Sequence, residues 1–246
     1  MSEKSRTPIP HHWELPEAIR SRFGVEPGRQ RVMDEEDHLV LVLHHPPKPE
    51  DDEIRKAIIF WQDHEDEWRS YPEVGGLDAL RRHLKNYEDV IHRLDDEVEA
   101  AKTPRDFFEV MKQTNPLLRA VRNQFSVMEE ARRARPESHV LIVLRDQAEA
   151  LDRAIELVAA DAKSGMDFTM AESAEQQARF SFEAGVEARR LNRLVAFFFP
   201  IATLVAVFGV NNPEEILKFR GFWVVLATGV VAGIVVLFAL SQRMKR

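Results

Sequence analysis

The chain has 246 residues, no cysteine, and 34 Lys and Arg against 41 Asp and Glu, a net charge of −7. Without cysteine there is no disulfide scaffold, thiolate nucleophile, iron–sulfur cluster or Cys-ligated zinc, and the acidic balance argues against a general nucleic-acid binder. The charge is unevenly spread: residues 1–193 hold 29 basic and 39 acidic side chains and carry −10, whereas residues 194–246 hold 5 and 2 and carry +3.

Residues 1–76 read as a small α/β region. The opening MSEKSRTPIPHH has no apolar core and is neither a signal peptide nor the Arg-rich, acid-poor type that enters mitochondria. Pro16–Phe23 fits a short helix closed by Gly24. Leu39–Leu43 (LVLVL), ended by His44, His45 and two prolines, fits a buried strand. Ala57–Trp61 and Trp68–Tyr71 flank the polar run QDHEDE, which fits a hairpin turn, so three or four strands are expected in all.

After Gly75-Gly76 the period lengthens. Leu77, Leu80, Leu84, Tyr87, Ile91, Leu94 and Val98 step by three and four, the mark of an amphipathic helix packed on other helices. Thr103-Pro104-Arg105-Asp106 is a helix start, with Thr as cap, Pro at the first position and an acid in the first turn. The helix it opens is expected to break near Asn115-Pro116 and resume through Leu118, Val121, Phe125 and Met128. Residues 77–136 thus read as a helical bundle and 137–193 as a long stalk helix region.

In the stalk a stripe of mostly small residues appears: Ala171, Ala174, Ala178, Ser181, Gly185, Ala188, Asn192, Val195, Phe199, Ala202, Ala206 and Gly209. It enters the next, apolar segment without losing phase, so one helix should span both. Small residues at this spacing let helices approach closely. Two arrangements fit: a plain contact with a neighbouring helix, or a ring of identical helices around an axis.

Leu194–Val210 and Phe222–Leu240 carry no charge. At 1.5 Å per residue they span roughly 25 and 28 Å, close to the hydrocarbon thickness of a bilayer. They read as transmembrane helices 194–210 and 222–240, joined by an external loop 211–221 and followed by a basic tail 241–246. Arg189, Arg190 and Arg193 precede the first, and Arg243, Lys245 and Arg246 follow the second. The loop charges Glu214, Glu215, Lys218 and Arg220 cancel. By the positive-inside rule both termini are cytoplasmic.

Leu191–Asn211, LNRLVAFFFPIATLVAVFGVN, resembles the first transmembrane helix of CorA-type magnesium transporters, whose outer end carries Gly-Met-Asn with a proline eleven residues before the Asn. Here Gly209-Val210-Asn211 follows Pro200 at that spacing. Two C-terminal spans, a short loop with Pro213, Glu214 and Glu215, and a basic tail also fit, and residues 137–246 carry the resemblance.

What the resemblance implies is a short, divergent member: an α+β cytoplasmic domain of small sheet and helical bundle, a stalk helix and a two-helix membrane hairpin. It implies a homopentamer in the inner membrane of a prokaryote. The first spans would line the pore through Gly185, Ala188, Asn192, Val195, Phe199, Ala202 and Ala206. Asn211 would meet the hydrated ion at the outer mouth. Mg²⁺ is the expected cargo, with Co²⁺, Ni²⁺ or Zn²⁺ as other divalent ions of such a pore. Mg²⁺ holds its waters tightly and suits outer-shell contact with neutral oxygens. Val210 departs from the family's Met. Phe199 would form a dewetting constriction on the axis or pack sideways between helices.

His11-His12, His44-His45 and His64 with Glu65, Asp66 and Glu67 invite a metal site, but adjacent histidines on a strand point to opposite faces, and the acidic run suits a solvated turn. No nucleophile–base set, phosphate loop or HExxH appears, so no enzyme and no cofactor are expected. Beside the divalent-cation channel stands one alternative, a membrane-anchored sensor or effector answering to a cytoplasmic ligand or partner.

Overall fold

The computed structural model describes residues 8–26, 28–48, 56–211 and 219–243. Within the helices, the side chains of residues 205, 207–211, 219–222, 225 and 239–243 are outside the description. The chain divides into two units, Met1–Ala171 and Glu172–Arg246.

The first unit begins with α1 (Glu17–Arg20) and a four-stranded antiparallel sheet in the order β1 (Arg31–Glu35), β2 (His38–His44), β3 (Ala57–Gln62) and β4 (Trp68–Tyr71). The LVLVL run is continuously apolar because both faces of β2 are covered. Leu39, Leu41 and Leu43 join Ile58 and Phe60 in the core shared with the helices. Val40 and Val42 join Ile59, Trp61 and the N-terminal residues Ile9, Trp13, Leu15, Ile19 and Phe23 on the other face. The strand at Arg31–Glu35 was not expected. It is charged, Met33 is its one buried residue, and it pairs with β2 through a turn at Glu36 and Asp37, both at positive φ.

The QDHEDE run is the β3–β4 turn. Asp63 Oδ1 accepts the backbone N–H groups of Glu65 and Glu67 at 3.0 Å each, and its Oδ2 lies 3.2 Å from Arg69. The Asp63 carboxylate therefore organises the turn. Gly76 begins α2 at φ +52°, and a Cβ there would stand 2.0 Å from the Trp68 carbonyl oxygen, so the sharp corner out of β4 requires glycine.

The helices follow as α2 (Gly76–Ala100), α3 (Pro104–Ala134) and α4 (His139–Asn211). The capping box at α3 forms: Asp106 N–H donates to Thr103 Oγ1 at 3.2 Å, and Thr103 N–H to Asp106 Oδ2 at 2.8 Å. The expected break at Pro116 does not occur; α3 runs through it. Losing one helical bond costs about 3 kcal/mol, which burial of Val110, Leu117, Val121 and Met128 along one face outweighs at about 1.5–3 kcal/mol each. On α4 the buried positions are Leu141, Leu144, Ala148, Leu151, Ile155, Val158 and Ala162. The α3 start then closes over Gly165, where a Cβ would meet the Phe107 ring at 2.4 Å.

Buried polar contacts cross this core: the Tyr87 hydroxyl donates to the His44 carbonyl oxygen at 2.8 Å, and a histidine meets a glutamine. His83 on α2 lies 3.1 Å from Gln124 Oε1 on α3, with the rings of Tyr87, Phe60 and His45 at 5.3, 5.8 and 5.8 Å. Burial, with the nearby His45, pushes its pKa from 6.5 down to about 3. Between those values the unfolded chain holds the proton and the folded chain does not, so stability is complete above pH 6.5 and falls as pH falls toward 3. The expected slope from this residue is about 1.4 kcal/mol per pH unit. Urea melts from pH 7 to 4 check it: His83→Gln should remove that part of the slope, and parallel curves for both proteins would contradict it.

Candidate functional site

The second unit contains the remainder of α4 and α5 (Phe219–Arg243). From residue 172 to 195 nearly every α4 side chain is exposed, with Gly185 and Val186 half-buried. Phe180 and Phe182 are about 70% exposed. A helix is marginal without a packed face, and among the described residues this stretch presents large apolar side chains that nothing covers.

Farther along, α5 packs antiparallel on α4. A Cβ at Gly229 would lie 3.2 Å from both Cα and Cγ1 of Ile201. One at Gly233 would lie 2.7 Å from the Phe197 carbonyl oxygen and 3.1 Å from its ring. Both glycines are buried. Gly229 and Gly233 form the small-xxx-small spacing that lets helix backbones touch in apolar surroundings. The sequence signal for this pair is GVVAG within an apolar run, a second small-residue motif beside the α4 stripe.

The contact decides where the α4 stripe points. Phe199 is two residues from both Phe197 and Ile201, about 200° around the helix from each, so it is on the face turned away from α5. Phe199 is 67% exposed, and Ala188, Asn192, Val195, Ala202 and Ala206 are exposed with it. Gly185 is half-buried, and among the described residues a Cβ there would meet Arg189 Nη1 at 3.8 Å. The face of α4 that receives α5 is therefore not the stripe.

α4 ends at Asn211, so Gly209, Val210 and Asn211 are its last helical residues, with side chains outside the described residues. Pro213, Glu214 and Glu215 also lie outside the described residues. Among the described residues no helix is long and apolar enough to cross a membrane; both uncharged runs include residues outside that set. Among the described residues no group of three or more His, Cys, Asp or Glu side chains is placed to hold a metal ion. His44 bonds the Gly28 carbonyl oxygen through Nε2 at 2.8 Å, and His45 Nε2 lies 3.8 Å from Glu73. His64 sits on the exposed β3–β4 turn.

Full-length CmaX superposes with a TM-score of 0.56 at 12% identity, over 89% of this chain and 78% of that one. This chain shares its fold with CmaX. The ZntB cytoplasmic domain from Vibrio parahaemolyticus gives 0.49 at 12% identity, over 66% of this chain and 80% of that one. The CorA magnesium transporter from Methanocaldococcus jannaschii gives 0.43 at 14% identity, over 87% and 79%. No family model matches the sequence, and no curated protein does.

Proposed function

We propose that the chain is one subunit of a homo-oligomeric membrane channel for divalent cations, Mg²⁺ first, conducting along an axis lined by α4. The observation that carries this reading is the direction of the stripe. Gly185, Ala188, Asn192, Val195, Phe199, Ala202 and Ala206 follow one face, opposite the face that receives α5, both within the apolar run and before it. A contact confined to the hairpin would have no reason to extend that face to Gly185; an axis shared by several copies would.

The uncharged runs Leu194–Val210 and Phe222–Leu240 supply the two spans, and the basic clusters beside them set both termini on the cytoplasmic side. Phe199 is the large apolar ring in a row of small residues, suited to a constriction that dewets. Asn211, at the end of α4, supplies the neutral oxygen for a hydrated ion. Co²⁺, Ni²⁺ and Zn²⁺ are the other cargo candidates, and a homopentamer is the assembly suggested by the Gly-x-Asn resemblance.

Topology gives a direct test in a chain without cysteine. Glu215→Cys should label with an impermeant thiol reagent in intact cells, and Ser241→Cys should label only after the cells are opened. The reverse pattern would overturn the orientation. Mg²⁺ uptake into a transport-deficient strain tests the activity: growth rescue at low Mg²⁺ is expected, and no uptake despite a membrane-located protein would favour a sensor or effector.

A further inference from the structure

Pro200 lies inside α4 and brings no N–H, so the Ala196 carbonyl loses its helical partner. One turn on, the Thr203 hydroxyl donates to the Phe199 carbonyl oxygen at 2.8 Å, a back-bond that favours bending at the same place. A proline and a back-bonding threonine three residues apart leave the helix weakly braced from within. The direction in which residues 201–211 continue beyond Pro200 must be fixed from outside.

α5 meets α4 on both sides of that point. Gly233 is opposite Phe197, three residues before the proline, and Gly229 is opposite Ile201, one residue after it. At Gly233 the nearest atom is a backbone carbonyl oxygen, which no rotamer change can move aside. At Gly229 it includes the Ile201 Cα. A side chain at either position must push the helices apart where α4 is weakest.

We propose that Gly229 and Gly233 are positioning residues: they seat α5 on the α4 backbone on both sides of Pro200 and so set the direction of residues 201–211. This rests on reading α4 as the lining of the conduction path, because those residues include Ala202, Ala206 and the Gly209-Val210-Asn211 end. The two glycines act through Pro200 and touch no ion. The tighter contact makes Gly233 the more sensitive of the two.

The test uses the full chain in lipid vesicles, with a spin label on a single introduced cysteine at Ala188→Cys, before Pro200, or Ala206→Cys, after it. Distances between labels on neighbouring subunits are compared in the native background, in Gly233→Val and in Gly229→Ala. Mg²⁺ uptake is measured on the unlabelled proteins. Gly233→Val should shift or broaden the Ala206 distances by several ångströms, leave the Ala188 distances unchanged and lower uptake at least tenfold. Gly229→Ala should give a smaller change of the same kind. Unchanged Ala206 distances in Gly233→Val would overturn the proposal. Should Gly233→Val fail to assemble, Gly233→Ala replaces it, and no shift there overturns the proposal equally. Shifted Ala206 distances in a protein whose native form takes up no Mg²⁺ would support the positioning role and overturn the conduction reading.

Discussion

Asn211→Ala should reduce Mg²⁺ flux into liposomes at least a hundredfold while leaving the assembly intact. The carboxamide oxygen is the neutral polar ligand that the proposed pore offers where the ion enters, and one substitution removes it from every subunit together. A hydrated divalent ion then faces an apolar-walled entrance with its water shell unpartnered, and the cost of leaving bulk water remains. Loss of one hydrogen bond to a charged partner is worth about 1.5–3 kcal/mol, so loss from several subunits exceeds the roughly 2.7 kcal/mol that a hundredfold change represents. Val210→Met should change flux less than threefold, because that side chain has no oxygen to offer. Full flux in Asn211→Ala would reduce the Gly-x-Asn end to a structural remnant.

The second large effect is expected at Gly185. Among the described residues of one chain, the atom a Cβ there meets is Arg189 Nη1 at 3.8 Å, and leucine favours helix over glycine by about 1 kcal/mol. In an isolated subunit Gly185→Leu should therefore be neutral or stabilising. Among copies packed along the stripe it should be disruptive, because close approach leaves no room for four more carbons. Size-exclusion chromatography with light scattering in detergent should show the oligomer lost, while the melting of the first unit stays within a degree or two. An unchanged oligomer would remove the stripe from the axis.

Much of the first unit could be read from the residues, for reasons that the structure makes plain. LVLVL and AIIFW are strands with both faces covered, so their apolar character is continuous and visible. Thr103-Pro104-Arg105-Asp106 declares a helix start because capping is chemistry local to four residues. β1 was invisible because its stability comes from pairing with β2 and its turn uses Glu36 and Asp37 in place of glycine. Pro116 misled because a local rule was overridden by the core contacts of α3. At the candidate site the α4 stripe was legible as a pattern, yet its direction was not, since sequence does not say which face the second helix takes. Gly229 and Gly233 carry that information, and it emerges only once Phe197 and Ile201 are seen against them.

If ions pass along the α4 face opposite α5, thiol modification of that face in the cysteine-free chain should block flux. Single cysteines at Phe199, Ala202 and Ala206 sample that face, and cysteines at Phe197 and Ile201 sample the face against α5. A membrane-impermeant thiol reagent added to Mg²⁺-loaded proteoliposomes should stop flux in Ala202→Cys and Ala206→Cys, slow it in Phe199→Cys, and leave Phe197→Cys and Ile201→Cys conducting. Block at Phe197 and Ile201 with continued flux through modified Ala202→Cys and Ala206→Cys would place the path elsewhere.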